Sequence, residues 1–331
     1  MTSSRLRSPA GNALLQHVVR RAALAPSVHN TQPWRFRLTG NCLELRADRT
    51  RQLTALDPTG RQLLISCGCA LFNARVASAA AGSQSDVQRL PDPADPDLLA
   101  RLTAQPAAPA SPIAALHAAI ERRQTNRRRF SSDGVPAEVI EVLRAAAEAE
   151  GAELFAITRP GHRIATAVLS QQADAEQNAN PAYRAELRGW TTDDPHRRDG
   201  VPASAVPHVD GSAADDLPIR DFDSHGTGWL PTRTDSSMRQ CLLLLATTDE
   251  SPLGWLRAGE ALERIWLTAT DHGYALSLLT QVVEVPRTRQ QLRAELGLTG
   301  HPLILLRVGT APKTPTSQRR PLTELLTEQP G

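Results

Sequence analysis

Three segments of this chain carry side chains suited to chemistry. The first is Ala25-Pro26-Ser27-Val28-His29-Asn30-Thr31-Gln32-Pro33-Trp34. Ser27, Asn30 and Gln32 offer a hydroxyl and two carboxamides ahead of a proline-fixed turn, groups that suit the donor and acceptor edge of a planar heterocycle. The plainer reading is a polar helix-to-strand loop anchored in the core by Trp34. The second segment is Glu121-Arg122-Arg123-Gln124-Thr125-Asn126-Arg127-Arg128-Arg129-Phe130, with five guanidinium groups in eight positions. Guanidinium forks around a Thr hydroxyl can clamp a phosphate by bidentate bonds. The plainer reading is a solvated basic face or a weak nucleic-acid patch. The third is Gln318-Arg319-Arg320-Pro321, by default a disordered basic tail.

Composition narrows the chemistry. Of 37 basic residues only Lys313 is a lysine. An anion site here must therefore use Arg forks or backbone N–H groups. A net charge of +2 over 331 residues is too slight to indicate a nucleic-acid binder. The aliphatic run Leu242–Ala246 is far too short to span a bilayer, and the N-terminus shows no apolar signal-peptide core. Four cysteines, with Cys67 and Cys69 as C-x-C, read as thiols of a reducing cytoplasm. No Walker loop, G-x-G-x-x-G, H-E-x-x-H or G-x-S-x-G is present. The nine histidines have no metal-ligand spacing, so no metal is expected. No side chain is singled out as catalytic.

The elements around these segments alternate helix and strand. Helix 12–25 stops at Pro26, and Trp34–Leu38 with Cys42–Ala47 form a hairpin. Asp57-Pro58 starts a helix that Gly82 ends. Residues 104–112 read as a linker. Then come helices 113–123 and 137–150 and a strand Leu154–Thr158. Residues 170–235 form a polar insert, read as a lid. Strand Cys241–Thr247, helix Pro252–His272, and strands Ala275–Thr280 and Leu303–Val308 complete the chain.

Two internal matches recur in the same order. Gly68-Cys69-Ala70-Leu71 precedes Gly82 by fourteen residues, and Gly259-Glu260-Ala261-Leu262 precedes Gly273 by fourteen. Arg21-Ala22-Ala23 likewise pairs with Arg144-Ala145-Ala146. A duplicated unit explains both; coincidence among Ala-rich helices is the alternative.

Together these segments resemble the nitroreductase superfamily of FMN proteins, most closely its actinobacterial Acg-like branch. The A-P-S-x-x-N-x-Q-P-W motif at Ala25–Trp34 lies, in that family, where flavin meets the neighbouring subunit. The family's R-x-[ST]-x-R motif, which holds FMN phosphate and ribityl oxygens, matches Arg123, Thr125 and Arg127, with Arg122 assisting; the following aromatic, Phe130, falls one residue late. The family's C-terminal basic pair would be Arg319 and Arg320. Backbone at Leu279, Thr280 and Gln281 would approach the flavin ring. Many members place a Lys near flavin N1/O2; here Arg128 or Arg129 would have to serve.

The resemblance implies an α+β, nitroreductase-like fold with central mixed or antiparallel sheets flanked by helices. Because each motif occurs once, it further implies a tandem pseudo-dimer with one FMN site, residues 1–110 forming one half and 111–331 the other. The implied activity is NAD(P)H-dependent reduction of a nitroaromatic or quinone. The alternative is an FMN-sequestering or storage protein whose site the insert blocks. An interaction protein using the Arg cluster is a third reading. The expected partners are FMN, NAD(P)H and a small aromatic acceptor, with no nucleic acid or membrane, in a monomer or a further homodimer.

Overall fold

The computed structural model describes residues 9–106, 111–127, 130–192, 194–202, 205, 220, 240–314 and 316–328. The architecture is α+β. Helix α1 (Pro9–Ala22) buries Leu15, Val18, Val19 and Ala22, one stripe at helical spacing. It leads to the hairpin β1 (Trp34–Thr39) and β2 (Cys42–Ala47), turned at Gly40 in the left-handed region. Helix α2 (Arg61–Ala80) follows, then β3 (Ser83–Arg89) and β4 (Leu98–Pro106).

The second half repeats this order. After α3 (His117–Arg122) come α4 (Ala137–Glu148) and β5 (Glu153–Ala156). Helices α5 (Pro160–Ala179) and α6 (Pro181–Gly189) and the short strands β6 (Thr191–Thr192) and β7 (Val201–Pro202) are interposed. Then follow β8 (Cys241–Thr247), α7 (Pro252–Asp271), β9 (Ala275–Leu278), α8 (Gln281–Glu284), α9 (Pro286–Glu295) and β10 (His301–Gly309). The chain closes with α10 (Leu322–Leu325) and β11 (Leu326–Glu328).

One sheet runs β1-β2-β4-β3 and the other β5-β8-β10-β9. In each, the unit's first, second, fourth and third strands lie side by side, all antiparallel. The 20-residue helices α2 and α7 pack across each other between the halves. The tail then crosses over: β11 leaves the second half and pairs in parallel with β1, Phe36 opposite Leu326. A tail expected to be disordered thus closes the first sheet, because its apolar Leu325 has a buried place there.

Several local expectations change. Strands β3 and β4 were not legible, since the polar, proline-rich stretch between them masks their alternation; β4 takes residues 104–106 from the expected linker. The insert begins as ordered helix, its residues 170–189 falling in α5 and α6. Asn180 caps α6 by accepting from the Ala182 N–H at 3.0 Å. Helix α2 begins at Arg61, later than Asp57-Pro58, and the Asp57 carboxylate accepts the Leu63 N–H at 2.9 Å. Among the described residues α2 alone is long and apolar enough to cross a membrane, but 83% of its apolar window is buried within the protein, making it a core helix.

Candidate functional site

A cavity of about 260 Å³ opens where the three segments meet. Ser27 and Asn30 line it from the loop after α1, Arg123, Thr125 and Arg127 from the stretch after α3, and Arg319 from the tail. Gln124, Thr316 and Ser317 add polar groups, and Leu24 and Ile120 apolar ones, none of which the motifs had pointed to.

The loop after α1 is held by its own polar residues. His29, Asn30 and Gln32 all have positive φ, at 48°, 55° and 49°, a conformation non-glycine residues adopt only under constraint. The constraint is visible. The Gln32 N–H donates to Ser27 Oγ at 2.9 Å, and Gln32 Nε2 donates to the Arg198 carbonyl at 2.9 Å. Gln32 Oε1 accepts the Arg320 N–H at 2.8 Å. Asn30 Nδ2 donates to the carbonyls of Gly200 at 3.0 Å and Gln318 at 3.1 Å. These amide donors, which the sequence suggested for a heterocycle edge, tie the loop to the insert and the tail, and Asn30 also lines the cavity. Gln32 is fully buried and Trp34 is a core anchor.

The Arg-rich stretch lies along β9. Thr125 bridges Leu276 in parallel, and the Asn126 N–H donates to the Leu276 carbonyl at 2.9 Å. This turns Arg123 inward, where its guanidinium stacks 4.7 Å from the Trp266 ring centroid. Arg123 Nη2 and Arg319 Nη2 each donate to the Leu24 carbonyl at 3.3 Å. The other donors of these forks are not all used: Arg123 Nε and Nη1 and Arg319 Nε are buried without hydrogen-bond partners among the described residues. Burial, and repulsion from Arg123, bring Arg319 down to about 9. Burial and Arg220 bring Arg127 down to about 10. Crowded cations with unmet donors around a cavity are a site for a polyanionic group.

The remaining expected residues lie elsewhere. Arg122 is exposed and pairs with Asp271 at 2.8 Å. Arg320 is buried behind the loop, where it donates to the Gln32 carbonyl at 3.3 Å and to Glu324 Oε2 at 3.1 Å. Leu279 is buried among Val282, Leu305 and Ile157. Gln281 donates to Asp174 Oδ1 at 2.6 Å. Thr280 lines a smaller cavity of about 40 Å³ with Ser66, Cys69, Leu262 and Leu278, which shares Pro26 and Ser27 with the larger one. Arg128 and Arg129 lie outside the described residues, as does most of 203–239.

Three groups near the cavity went unread. Arg220, from the insert, is buried against Glu284 at 2.7 Å and against the Tyr183 hydroxyl. His29 is held well below its ordinary value by burial and by Arg220 and Arg127. Glu263, fully buried on α7, lies 3.6 Å from Arg123 Nε. Its signal was a carboxylate amid the apolar positions of a core helix.

No protein-family model matches the chain. The Mycobacterium tuberculosis protein named "Putative NAD(P)H nitroreductase Rv3131" is 39% identical over 313 residues, covering 92% of this chain and 88% of the relative. "Putative NAD(P)H nitroreductase acg" of the same organism is 32% identical over 323 residues, covering 94% and 95%. Among solved structures, the FMN-bound nitroreductase of Bacteroides fragilis aligns with 62% of this chain and 93% of its own at 12% identity and a TM-score of 0.38. The FMN-dependent nitroreductase NfnB of Mycobacterium smegmatis, in complex with NADPH, aligns with 64% and 97% at 16% identity and a TM-score of 0.38. The sequence identity to the two tuberculosis proteins runs nearly end to end in both partners, and by it this chain belongs to the NAD(P)H nitroreductase family, in its Acg-like branch.

Proposed function

We propose that this chain binds one FMN in the larger cavity and acts as an NAD(P)H-dependent oxidoreductase on a small aromatic acceptor such as a nitroaromatic or quinone. The observation that carries the reading is the pair Arg123 and Arg319, which line a cavity formed by all three motif segments and keep N–H donors without hydrogen-bond partners among the described residues. In this reading they hold the phosphate as forks, while Thr125, Ser27 and Arg127 run along the rest of the cofactor. The smaller cavity at Thr280 and Leu278 receives part of the ring. Bound FMN would supply hydride acceptance from NAD(P)H and electron delivery to the acceptor; the protein supplies binding, orientation and electrostatics.

One site per chain follows from a tandem duplication, supported by the shared strand order of the two sheets. The place equivalent to the first motif in the second half is differently built. Ser27 and Glu150 fall equally far past the paired Arg21 and Arg144. Glu150 is bonded to Arg75 at 2.6 Å and Arg264 at 2.8 Å, and Arg75 also reaches Glu260 at 2.7 Å. Ion pairs occupy the ground a second cofactor would need. We place the protein in the cytoplasm, where its four cysteines, free in the structure, remain thiols.

A second reading, FMN storage, is favoured by one observation: Arg220 of the insert docks on Glu284, Tyr183 and Thr280 beside the smaller cavity. An insert closed there would shield the ring from acceptors. NADPH oxidation with menadione or a nitrofuran decides between the two. Turnover above that of free FMN supports the enzyme; its absence for both acceptors supports storage. Protein that purifies without bound flavin and takes up none when FMN is added overturns both.

A further inference from the structure

Glu263 has no place in the motifs, yet it lies beneath the two arginines of the cavity. It is fully buried on α7, one helical turn before Trp266, which stacks on Arg123. Its carboxylate is 3.6 Å from Arg123 Nε, and neither of its oxygens has a hydrogen-bond partner among the described residues. It therefore neutralises charge without locking the forks. The groups facing it are Arg123 from the stretch after α3, Arg319 from the tail, and Asn73 and Cys69 from α2. The Cys69 thiol is pushed well above its ordinary value by burial and by Glu263 itself, so it stays neutral.

Charge balance then sets a rule. Of the charges that act on Glu263, without an anion, Arg123, Arg319 and the ionised carboxylate sum to one positive charge; Arg127 lines the same cavity, but the charge acting on it is Arg220. A dianionic phosphate would turn that into a net negative charge in a buried place, which desolvation opposes. Protonating the carboxylate restores balance. We propose that Glu263 is the counter-ion exchanged for a phosphate group at Arg123 and Arg319, and that phosphate binding there takes up one proton at this carboxylate. The inference rests on the reading of the cavity as an FMN phosphate site.

The sign follows from the titration. Burial already holds the Glu263 carboxyl up at about 7, against the pull of Arg123, Asn73 and Arg319. A phosphate nearby raises it further. Between the two values, binding consumes a proton, so affinity falls as pH rises above 7, by at most about tenfold per unit. At pH 8 an exposed phosphate monoester is already dianionic, so its own ionisation adds little.

The test is calorimetric titration of the flavin-free full chain with FMN at pH 8, in two buffers of different ionisation heat. About one proton should be taken up per FMN bound, and none in Glu263→Gln. The dissociation constant should rise about fivefold from pH 7 to pH 8 in the unaltered protein and stay flat in the variant. Riboflavin, which lacks the phosphate, should bind without proton uptake. FMN binding with no proton uptake by the unaltered protein overturns this inference and leaves the site reading standing, and that measurement needs no variant. Uptake with riboflavin equal to that with FMN overturns it as well. Failure to bind FMN at any pH from 6.5 to 8.5 overturns the site reading and this inference together.

Discussion

Gly68 of α2 and Gly259 of α7 lie backbone against backbone: a Cβ built on either glycine would sit 2.8 Å from the other's Cα. These are the same two glycines that open the paired G-x-A-L segments. Their helices end alike, at Gly82 with φ 74° and Gly273 with φ 82°. The crossing point of the core thus falls at the two residues that open the matching segments.

Gly68→Ala or Gly259→Ala should destabilise the fold by about 3 kcal/mol or more, since the added methyl meets helix backbone that cannot swing aside. Denaturant unfolding measures this. A loss under 1 kcal/mol would mean the helices separate easily.

Arg123→Ala and Arg319→Ala should each weaken FMN binding by ten- to a hundredfold, the value of a charged hydrogen bond, and the double change should abolish retention. Arg122→Ala should leave affinity unchanged, because Arg122 pairs with Asp271 on the surface. Fluorescence titration reads all four proteins. An equal loss from Arg122→Ala would move the phosphate clamp outward.

Glu260 is fully buried and bonded to Arg75 at 2.7 Å and Arg89 at 2.6 Å. Glu260→Ala takes the carboxylate partner from Arg89 and leaves Arg75 with Glu150 alone, and should cost about 3 kcal/mol of stability. The number of FMN molecules held per chain should stay at one. A second equivalent of FMN, in this variant or in the unaltered protein, argues against the single-site reading.

Arg220→Ala should loosen the insert, because it removes the buried pair with Glu284. The expected result is faster FMN release, read by stopped-flow fluorescence, and easier quenching of bound flavin by iodide. An unchanged release rate would show that Arg220 does not govern closure.

Without FMN, Glu263 also makes stability depend on pH. Its folded value of about 7 lies above the ordinary 4.5. The fold therefore favours the protonated form, and that contribution is lost as pH rises from about 4.5 through 7. The unaltered protein should lose up to ~3 kcal/mol relative to Glu263→Gln across that window. Paired unfolding curves at pH 5 and 7.5 check it; a gap that does not change with pH rules out a raised Glu263.

The chain's order of elements was largely readable because its signals are local. Strand Cys241–Thr247 is a continuous apolar run, and Gly82 and Gly273 mark helix ends. The match between the two G-x-A-L segments could also be read, because Gly68 and Gly259 stand equally far ahead of Gly82 and Gly273, but not that their helices pack together. Strands β3 and β4 could not, because their stability comes from pairing with each other and with β2, beyond any local pattern.

The side-chain chemistry divides the same way. Composition by itself determined that any anion site must use arginine forks or backbone N–H groups, and the motifs indicated which arginines to consider. Only the tertiary structure separated Arg123 and Arg319, which face the cavity, from Arg122 on the surface and Arg320 behind the loop. It also showed that the amides of Asn30 and Gln32 are the ties of a strained loop. Residue type fixes what a group can do, but its direction depends on β9, the insert and the crossing tail. Each lies more than a hundred residues from the segment it holds. Glu263 shows the reason most plainly: a carboxylate in a core helix is unremarked in sequence and acquires its role when two distant guanidiniums are packed against it.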